Sequence, residues 1–390
     1  MPNWQNWSGR LTNKPTSIQF PRSAEDAAAM AKSISDSGEK IRVAGATHSH
    51  APLVSTDATL IDAQGLAGVR SVDRDAQVAW IAGGSRIFTL GHALHQHGLA
   101  LHNQGDIDQQ AIAGATATGT HGTGTGLKNL SAAVVGVELA TAGGELLRAT
   151  PEQNHDIWLA SRLHLGAFGI VTQVALDLRP SYVLAERSWD ASLEDALAEL
   201  PNLASDHRHC EFFWYPQDDR AQIKVISETD AEPIYPLAEE GNRQAWSFEV
   251  LPNHRPHKHT EMEYSVPVAS AIDCMRDLRS LLANEFTDVA WPVEFRYLAA
   301  DDVWLSTAYQ RDTVTLSVHQ DVRLDETPYY HACEEIFLSY QGRPHWGKVN
   351  YLSGEQLAAM HPKWSDWWRL RDQLDPQGTF LNSYLESIRP

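Results

Sequence analysis

The chain has 390 residues, of which 43% are hydrophobic, and it carries a net charge of −19. Its length and apolar content allow a large buried core and favour two domains. The acidic balance argues against nucleic-acid or anionic-membrane partners, because no excess of basic residues is available to release counterions.

The cysteines and the N-terminal residues indicate a compartment. Cys210, Cys274 and Cys333 are widely spaced and form no C-x-x-C pair, which predicts reduced thiols and no cysteine zinc site. Residues 1–7 lack a basic start followed by an apolar segment, and no stretch approaches the roughly 18 apolar residues of a membrane span. We therefore expect a cytoplasmic protein with no membrane partner.

Helices and strands alternate in the first half of the chain. Ser23, with Asp26 three residues later, is typical of a capping box and predicts a helix that runs to about Ile34. Alternating and β-branched residues predict strands, and a shared apolar face followed by glycine predicts a second helix. We predict strands at Lys40–Ala44, Ala58–Asp62, Gln77–Ala82 and Val171–Leu178, a helix at Arg86–His97, and a hairpin of Val134–Thr141 with Glu145–Thr150.

The pattern changes after Pro180, where longer strands and aromatic clusters begin. We predict a helix at Ala269–Leu282 and strands at Val293–Tyr297 and Thr313–His319. The candidate domain boundary is Pro180-Ser181, so residues 1–180 form an α+β domain and residues 181–390 form a second domain.

Two tracts of small residues predict a site for an anionic cofactor. Val43–His50 follows a predicted strand with Gly45, and the second tract comprises Asn103–Asp108 and Ala113–Gly124. Small side chains leave backbone N–H groups open to a pyrophosphate, so the two tracts are expected to form two walls of one site. An ordinary glycine turn with a surface histidine is the alternative for the first tract.

Three other motifs resemble known binding motifs but depart from them at important positions. Gly122, Gly124 and Gly126 have the wrong spacing for the G-x-G-x-x-G dinucleotide motif, which argues against a Rossmann NAD site. The segment 342–349 is close to a P-loop but has Val349 where Ser or Thr would hold Mg²⁺. A segment rich in Pro, Asn and Lys carries three histidines, for which we favour a solvated loop and predict no metal site. These histidines are His254, His257 and His259.

The small-residue tracts resemble those of a known family. Val43–His50 resembles the G-x-G-H-S stretch of flavin-linked oxidases of the vanillyl-alcohol-oxidase type, with His48 at the position of covalent attachment to the FAD 8α-methyl group. Asn103–Ile107 together with Ala113–Gly122 is similar to the second flavin-binding loop of that group, and His164–Val171 is similar to the third. Four further segments resemble the sugar-1,4-lactone oxidases and their relatives, the alditol oxidases, so the resemblance runs nearly end to end. They are Trp4–Trp7, Val293–Arg296, Gly342–Lys348 and Leu374–Leu385.

The resemblance implies an α+β, two-domain FAD-binding fold of the vanillyl-alcohol-oxidase type. Residues 1–180 would bind FAD, and residues 181–390 would form a mixed-sheet substrate domain whose C-terminal tail packs back on the first domain. FAD would be attached through His48, with the neighbouring His50 as the alternative. The implied cofactor-binding residues are Val43, Gly45, Ala46, Thr47, His48, Ser49, His50, Gly105, Asp106, Ala113, Gly114, Thr118, Gly119, His121, Gly122, Gly169, Val171, His345 and Lys348.

Three charged residues in the C-terminal half have side chains suited to flavin chemistry. Negative charge develops around N1 and the C2 carbonyl when a flavin accepts hydride, and Lys348 or Arg296 can supply a stabilising cation. A base or charged network must accept the hydroxyl proton. Glu294 and Arg296 project from one face of a strand and can grip a lactone or polyol. The resemblance implies the same roles for these three residues, whereas a surface ion pair is the alternative for Glu294 and Arg296.

Further positions distinguish the subclasses. In the resembled family, glycine at the position of Gly105 leaves room for O₂, which implies an oxidase. Ser317 stands where alditol oxidases carry a histidine, and His319 returns to the same strand face two residues later. Asp106 replaces a small hydroxyl residue, and it can bind a substrate hydroxyl or cap a loop.

We therefore expect an FAD-dependent oxidase that oxidises a CH–OH group of a sugar-1,4-lactone by hydride transfer to flavin N5, with O₂ reduced to H₂O₂. The alternatives are an alditol oxidase, a lactone dehydrogenase with another electron acceptor, and a flavin-free sugar-binding protein. The expected partners are the small-molecule substrate and O₂, and the sequence indicates no oligomeric state.

Overall fold

The computed structural model describes residues 2–390. Strands alternate with helices up to Pro180, and long strands dominate the rest of the chain. The strands are β1 (Trp4–Gln5), β2 (Thr12–Asn13), β3 (Ser17–Gln19), β4 (Ile41–Ala44), β5 (Thr59–Asp62), β6 (Val69–Asp73), β7 (Val78–Ala82), β8 (Leu99–Ala100), β9 (Val134–Ala140), β10 (Leu146–Ala149), β11 (Ile170–Asp177), β12 (Arg179–Pro180), β13 (Val183–Ser192), β14 (His209–Tyr215), β15 (Arg220–Thr229), β16 (Gln244–Trp246), β17 (His259–Pro267), β18 (Val293–Leu298), β19 (Thr313–Asp321) and β20 (Arg343–Pro344). The α-helices are α1 (Ala24–Asp36), α2 (Ile87–His95), α3 (Ile112–Thr118), α4 (His155–Ser161), α5 (Leu193–Asp206), α6 (Ser247–Val250), α7 (Ala271–Asn284), α8 (Thr327–Ser339), α9 (Gly354–Met360), α10 (Trp364–Leu374) and α11 (Ser383–Ser387).

Three sheets form the framework. A parallel sheet has the order β3-β5-β4, and an antiparallel sheet has the order β10-β9-β11-β7-β6. The largest sheet has eight strands in the order β16-β13-β15-β14-β18-β19-β17-β20. Every strand pair in it is antiparallel, so the α+β class is confirmed but the mixed sheet expected in the second half is wrong in this detail. β14 and β15 are joined by a short hairpin, which requires antiparallel strands.

The predicted elements are present, and their ends differ by no more than two residues. Ser23 caps α1 by accepting a bond from the Asp26 backbone N–H, and four apolar residues of α1 are buried. The second half of the expected capping box differs, because the Asp26 carboxylate accepts from the backbone N–H of Arg22 rather than Ser23. The predicted hairpin forms from β9 and β10.

Buried polar anchors connect the C-terminal segment to β4. The Arg42 guanidinium, on β4, donates to the carbonyl oxygens of Leu53, Leu165 and Phe380. The Trp367 indole, on α10, donates to the carbonyl oxygen of Leu163 at 3.0 Å. These bonds hold segments that are distant in sequence around the end of β4, where the first small-residue tract begins.

Two further predictions concern the whole chain. Cys210, Cys274 and Cys333 are free and buried, as expected for reduced thiols. No helix within residues 2–390 combines the length and apolar character needed to cross a membrane.

Candidate active site

The first cavity, of about 1090 Å³, opens where β4, α3 and the segments 163–171 and 345–348 meet. Thirteen of the residues expected to bind the cofactor lie in its wall. They are Val43, Gly45, Ala46, Thr47, His48, Ser49, Ala113, Gly114, Thr118, Gly169, Val171, His345 and Lys348.

Close backbone packing explains the small residues of this wall. A Cβ atom on Gly45 would lie 2.8 Å from the Cβ of Ala111, so a larger residue there would push β4 away from α3. Gly169 has a φ of 144°, which L-residues rarely adopt. Gly114, by contrast, has no atom within 4 Å of its Cβ direction, so the space beside α3 is open.

Two polar side-chain atoms in this wall lack partners within the described residues. Oε1 of Gln110 and Nε2 of His164 are buried and make no hydrogen bond. Buried polar atoms normally have partners, so the cavity is suited to a ligand that carries hydrogen-bonding groups along its length. The open cradle and these unpaired atoms fit a dinucleotide such as FAD.

His48 lies in this wall and stacks on the indole of Trp7, with ring centroids 5.4 Å apart and planes at 23°. Burial, followed by the charges of Arg86 and Lys348, lowers the pKa of His48 to about 4. Its imidazole is therefore neutral at pH 7. His50, the alternative attachment residue, does not line this cavity and lies 4.0 Å from the Glu261 carboxylate.

The other expected cofactor residues lie elsewhere. Gly105, Asp106 and His121 line a second cavity, whereas His50, Gly119 and Gly122 line neither. Gly119 ends α3 with a φ of 77°, and a Cβ on Gly122 would lie 2.2 Å from the carbonyl oxygen of Gln104. These two glycines therefore serve the local backbone packing.

The second cavity, of about 1420 Å³, adjoins the first. Both cavities share four wall residues: Gln110, Thr120, His345 and Lys348. Small residues form much of the first wall, whereas seven charged residues line the second cavity. They are Asp106, Arg255, Glu261, Glu263, Glu294, Arg296 and Lys348.

Glu294 and Arg296 lie on β18, two residues apart, and both face the second cavity. Oε2 of Glu294 is 3.0 Å from Nη2 of Arg296, and only 5% and 7% of these residues are exposed. The alternative of a surface ion pair is therefore wrong. Burial raises the pKa of Glu294 to about 8 despite Arg296, because Arg296 also serves Glu263 and further carboxylates lie nearby.

Glu263 organises this part of the wall and was not predicted as a site residue. It accepts hydrogen bonds from Nε2 of His121 at 2.7 Å, Oγ of Ser317 at 2.8 Å and Nη2 of Arg296 at 3.1 Å. The charge of His121 and its hydrogen bond, together with the charge of Arg296, outweigh burial and lower the pKa of Glu263 well below its usual range. The carboxylate therefore stays ionised.

Glu261, two residues earlier on β17, was also missed. Its carboxylate pairs with the Lys348 ammonium, and Lys348 lowers the pKa of Glu261 well below its usual range although burial acts in the opposite direction. The register of β17 and β19 places His319 opposite Glu261 and Ser317 opposite Glu263. Ser317 and His319 thus share one strand face, as expected.

The signal for these two glutamates was present in the sequence. β17 reads His-Thr-Glu-Met-Glu-Tyr-Ser-Val-Pro, in which polar and apolar residues alternate from Glu261 to Val266. The loop expected around His254 and His257 is correct, since both are exposed, but His259 begins β17 and is buried.

Asp106 lines the second cavity, and its carboxylate is held by two cations and an amide. Its carboxylate accepts from Nε of Arg255 at 2.7 Å and from the amide of Asn253, and Nζ of Lys224 lies at 3.9 Å. Lys224 and Arg255 outweigh burial and lower the pKa of Asp106. Of its two expected roles, the geometry favours loop anchoring.

The fold and cavity chemistry define an FAD-linked oxidoreductase. Residues 15–150 match the family model described as an FAD binding domain. The chain belongs to the D-arabinono-1,4-lactone oxidase family, whose model matches residues 174–246 and 236–388. The family resemblance expected from the sequence is thus confirmed.

Relatives and solved structures agree over nearly the whole chain. The chain is 34% identical to an L-gulono-1,4-lactone dehydrogenase of Mycobacterium tuberculosis, covering 99% of both proteins. It is 27% identical to the L-gulonolactone oxidase of Mus musculus, with 99% of this chain and 98% of the relative covered. It is 29% identical to an alditol oxidase of a Streptomyces strain, with 98% of both covered. A cholesterol oxidase structure from Brevibacterium sterolicum superimposes with a TM-score of 0.86 at 16% identity, covering 100% of this chain and 96% of that one.

Proposed function

We propose that the protein is an FAD-dependent oxidase that converts a CH–OH group of a sugar-1,4-lactone to a carbonyl group, with O₂ reduced to H₂O₂. The observation that carries the proposal is the junction of the cavities at His345 and Lys348. Beyond this junction, Glu294 and Arg296 form a buried pair that can hold adjacent oxygens of a sugar lactone.

We assign the binding of FAD and the binding of substrate to different domains. Residues 1–180 form the FAD-binding domain and residues 181–390 the substrate domain, with a C-terminal tail that returns to the first domain through Phe380 and Trp367. FAD supplies the hydride acceptor when it is bound. We also propose a cytoplasmic location, which the three free thiols support.

The side chains of the second cavity perform the remaining steps. Arg296 holds the lactone oxygens and is itself fixed by Glu263. Glu294, in its ionised form, accepts the proton of the reacting hydroxyl, and its raised pKa suits proton transfer near neutral pH. Lys348 places a positive charge between the cavities, and this charge would stabilise the negative charge that a bound flavin gains on accepting hydride.

A peroxide assay with a small panel of substrates tests the function. Purified protein is mixed with L-gulono-1,4-lactone, D-arabinono-1,4-lactone or xylitol, and flavin bleaching and H₂O₂ are followed. Bleaching by a lactone with H₂O₂ production supports the proposal. Bleaching by xylitol alone would establish an alditol oxidase, and a colourless protein would contradict both.

Attachment of FAD through His48 is a separate proposal. The neutral imidazole of His48 lies in the first cavity and can act as a nucleophile, whereas His50 lies outside it. Acid precipitation should leave flavin on the wild type and on H50A but release it from H48A. Release from H50A with retention in H48A would reverse the assignment.

A further inference from the structure

Three histidines converge on the carboxylate of Glu261 at the edge of the second cavity. Nε2 of His50, His259 and His319 lie 4.0, 3.7 and 3.8 Å from the Glu261 carboxylate oxygens. All four residues are more than nine-tenths buried, with exposed fractions of 8%, 7%, 7% and 5%. The mechanism proposed above assigns no task to His50 or His259.

Hydrogen bonds fix which ring nitrogen carries the lone pair. Nδ1 of His259 donates to the carbonyl oxygen of His257 at 3.0 Å, and Nδ1 of His319 donates to that of Pro292 at 2.8 Å. A carbonyl oxygen can only accept, so a neutral ring must carry its proton on Nδ1 and present a lone pair at Nε2. Donation from the outer nitrogen to a carbonyl group is the usual arrangement of a metal-ligating histidine.

The imidazole of His50 lacks hydrogen bonds in the described part of the chain. Its Nδ1 is buried without a hydrogen-bond partner among the described residues, and its Nε2 is too far from Glu261 for a hydrogen bond. Neither ring nitrogen of His50 is therefore committed to a hydrogen bond, and one of them belongs to the group of ligand atoms that this cluster brings together.

The Nε2 lone pairs of the histidines and the carboxylate of Glu261 are all acceptors, so a cation between them is favourable. Lys348 now supplies it through its bond to Glu261. The Lys348 side chain is 22% exposed and reaches both cavities, so it has room to withdraw.

We propose that His50, His259 and Glu261, with His319 at the margin, form a zinc site that Lys348 closes in this structure. Ligand atoms of His50, His259 and Glu261 all lie within 4.8 Å of one another. At the tetrahedral angle, zinc bonds of about 2.0–2.2 Å place two ligand atoms about 3.3–3.6 Å apart, so the imidazoles need only small shifts toward Glu261 to share one ion. Two imidazoles and one carboxylate are a common zinc ligand set.

Zinc binding has a consequence for Lys348. The ion takes the Glu261 carboxylate from the Lys348 ammonium and places a second positive charge beside it. Lys348 must then move, so zinc is an inhibitor of whatever reaction depends on that ammonium. Binding itself does not depend on the proposed function.

The test measures Zn²⁺ binding to the purified full-length protein by calorimetry and by competition with a chromophoric chelator. We expect one Zn²⁺ per chain in the wild type. His50→Gln and His259→Gln should weaken binding by about tenfold or more, as loss of zinc-site groups does in general. His97→Gln, at an exposed histidine outside the cluster, is the matched control and should bind as the wild type does.

A second variant separates ligation from loss of structure. Lys348→Gln removes the competing ammonium while leaving the ligands, so it should bind Zn²⁺ more tightly than the wild type. Unchanged or weaker binding in this variant would overturn the proposal, as would equal binding by the wild type and His259→Gln. Calorimetry does not require turnover, so absence of lactone oxidation would contradict the proposed function and leave the zinc result readable.

Discussion

At the scale of single residues, the protonation state of Glu294 determines the pH at which the site can accept the proton of the substrate hydroxyl. Burial raises its pKa to about 8, so this side chain is mostly neutral at pH 7 and becomes a base as the pH rises. We expect kcat/KM for the lactone to rise with pH through an apparent pKa near 8. Glu294→Gln should lower kcat/KM and flatten this profile, whereas a profile unchanged in shape would contradict the role of Glu294.

Glu263 is a positioning residue whose effect can be read through Glu294. Glu263→Gln removes a charge that shares Arg296, so Arg296 acts more strongly on Glu294 and its apparent pKa falls below 8. Loss of a charged hydrogen bond of about 1.5–3 kcal/mol lowers kcat/KM by roughly 10- to 160-fold. Both changes are measured in one pH–rate series.

Ser317→Ala provides the comparison for Glu263. It removes one donor to Glu263 but leaves the carboxylate charge, so the apparent pKa of Glu294 should stay near that of the wild type. An equal shift in Ser317→Ala and Glu263→Gln would mean that general loosening of the wall, rather than charge, sets the pKa.

Gly105 controls a narrow space beside the second cavity. A Cβ there would lie 3.2 Å from the carbonyl oxygen of His121 and 3.4 Å from Cγ2 of Thr120, so alanine fills the gap. We expect Gly105→Ala to slow reoxidation by O₂ by about tenfold, a barrier change of about 1.4 kcal/mol, while an artificial dye still accepts electrons. Stopped-flow traces of reduced protein mixed with O₂ measure the rate.

Gly126→Ala is the matched control for this substitution, since its Cβ direction is free of atoms within 4 Å and its residue is exposed. If Gly105→Ala reoxidises as fast as the control, O₂ does not use the space at residue 105.

At the scale of elements, β17 marks the limit of prediction from the sequence. The preceding Pro-, Asn- and Lys-rich segment indicated a loop, and the loop is real, but it ends before His259 rather than after it. The sequence indicated His48, just after β4, and Glu294, on β18, because the residues around each of them form a recognisable local motif. Glu261 and Glu263 acquire meaning only through the pairing of β17 with β19, which brings distant residues together.

Arg42 connects β4 to elements from the end of the chain, so its loss tests the packing of the first cavity. Arg42→Met leaves the carbonyl oxygens of Leu53, Leu165 and Phe380 without their buried donor. We expect the free energy of unfolding to fall by about 3 kcal/mol or more, because each unpaired buried acceptor costs about 1–3 kcal/mol. Urea titration followed by tryptophan fluorescence measures the change.

An exposed arginine supplies the control for that measurement. Arg70→Met, on β6, removes the same charge at the surface and should change stability by about 0.5 kcal/mol at most. Equal stability of Arg42→Met and Arg70→Met would show that the C-terminal segment does not depend on Arg42.

At the scale of the whole molecule, alternation and turn residues were enough to predict the class of fold and the ends of eleven helices and strands, but most strands of the eight-stranded sheet were not predicted. The position of the site was less accessible, since His48, Glu294 and Lys348 come from three distant segments. Their meeting depends on the order of strands in the eight-stranded sheet and on the close approach of 345–348 to the end of β4. Spacing along one sequence does not encode that order, and only the family resemblance indicated it.

Buried neutral histidines make the stability of the whole molecule depend on pH. Burial lowers the pKa of His164 and His345 to about 4, and of His209 and His361 to about 3. The unfolded chain binds protons near pH 6.5 and the folded chain does not, so this stability is present above about 6.5 and is lost as the pH falls toward 4. The Tm should therefore fall steeply over this range.

Net charge predicts the opposite trend, which makes the measurement decisive. The charge of −19 shrinks toward the pI of about 5.3, which would relieve repulsion and raise the Tm on acidification. Each pKa unit at a buried histidine is worth about 1.4 kcal/mol, so the histidines should dominate. Calorimetric scans from pH 8 to pH 4 in low and high salt separate the two effects, because salt screens surface repulsion but not buried histidines. A Tm that rises between pH 7 and pH 5.3 would contradict the dominance of the buried rings.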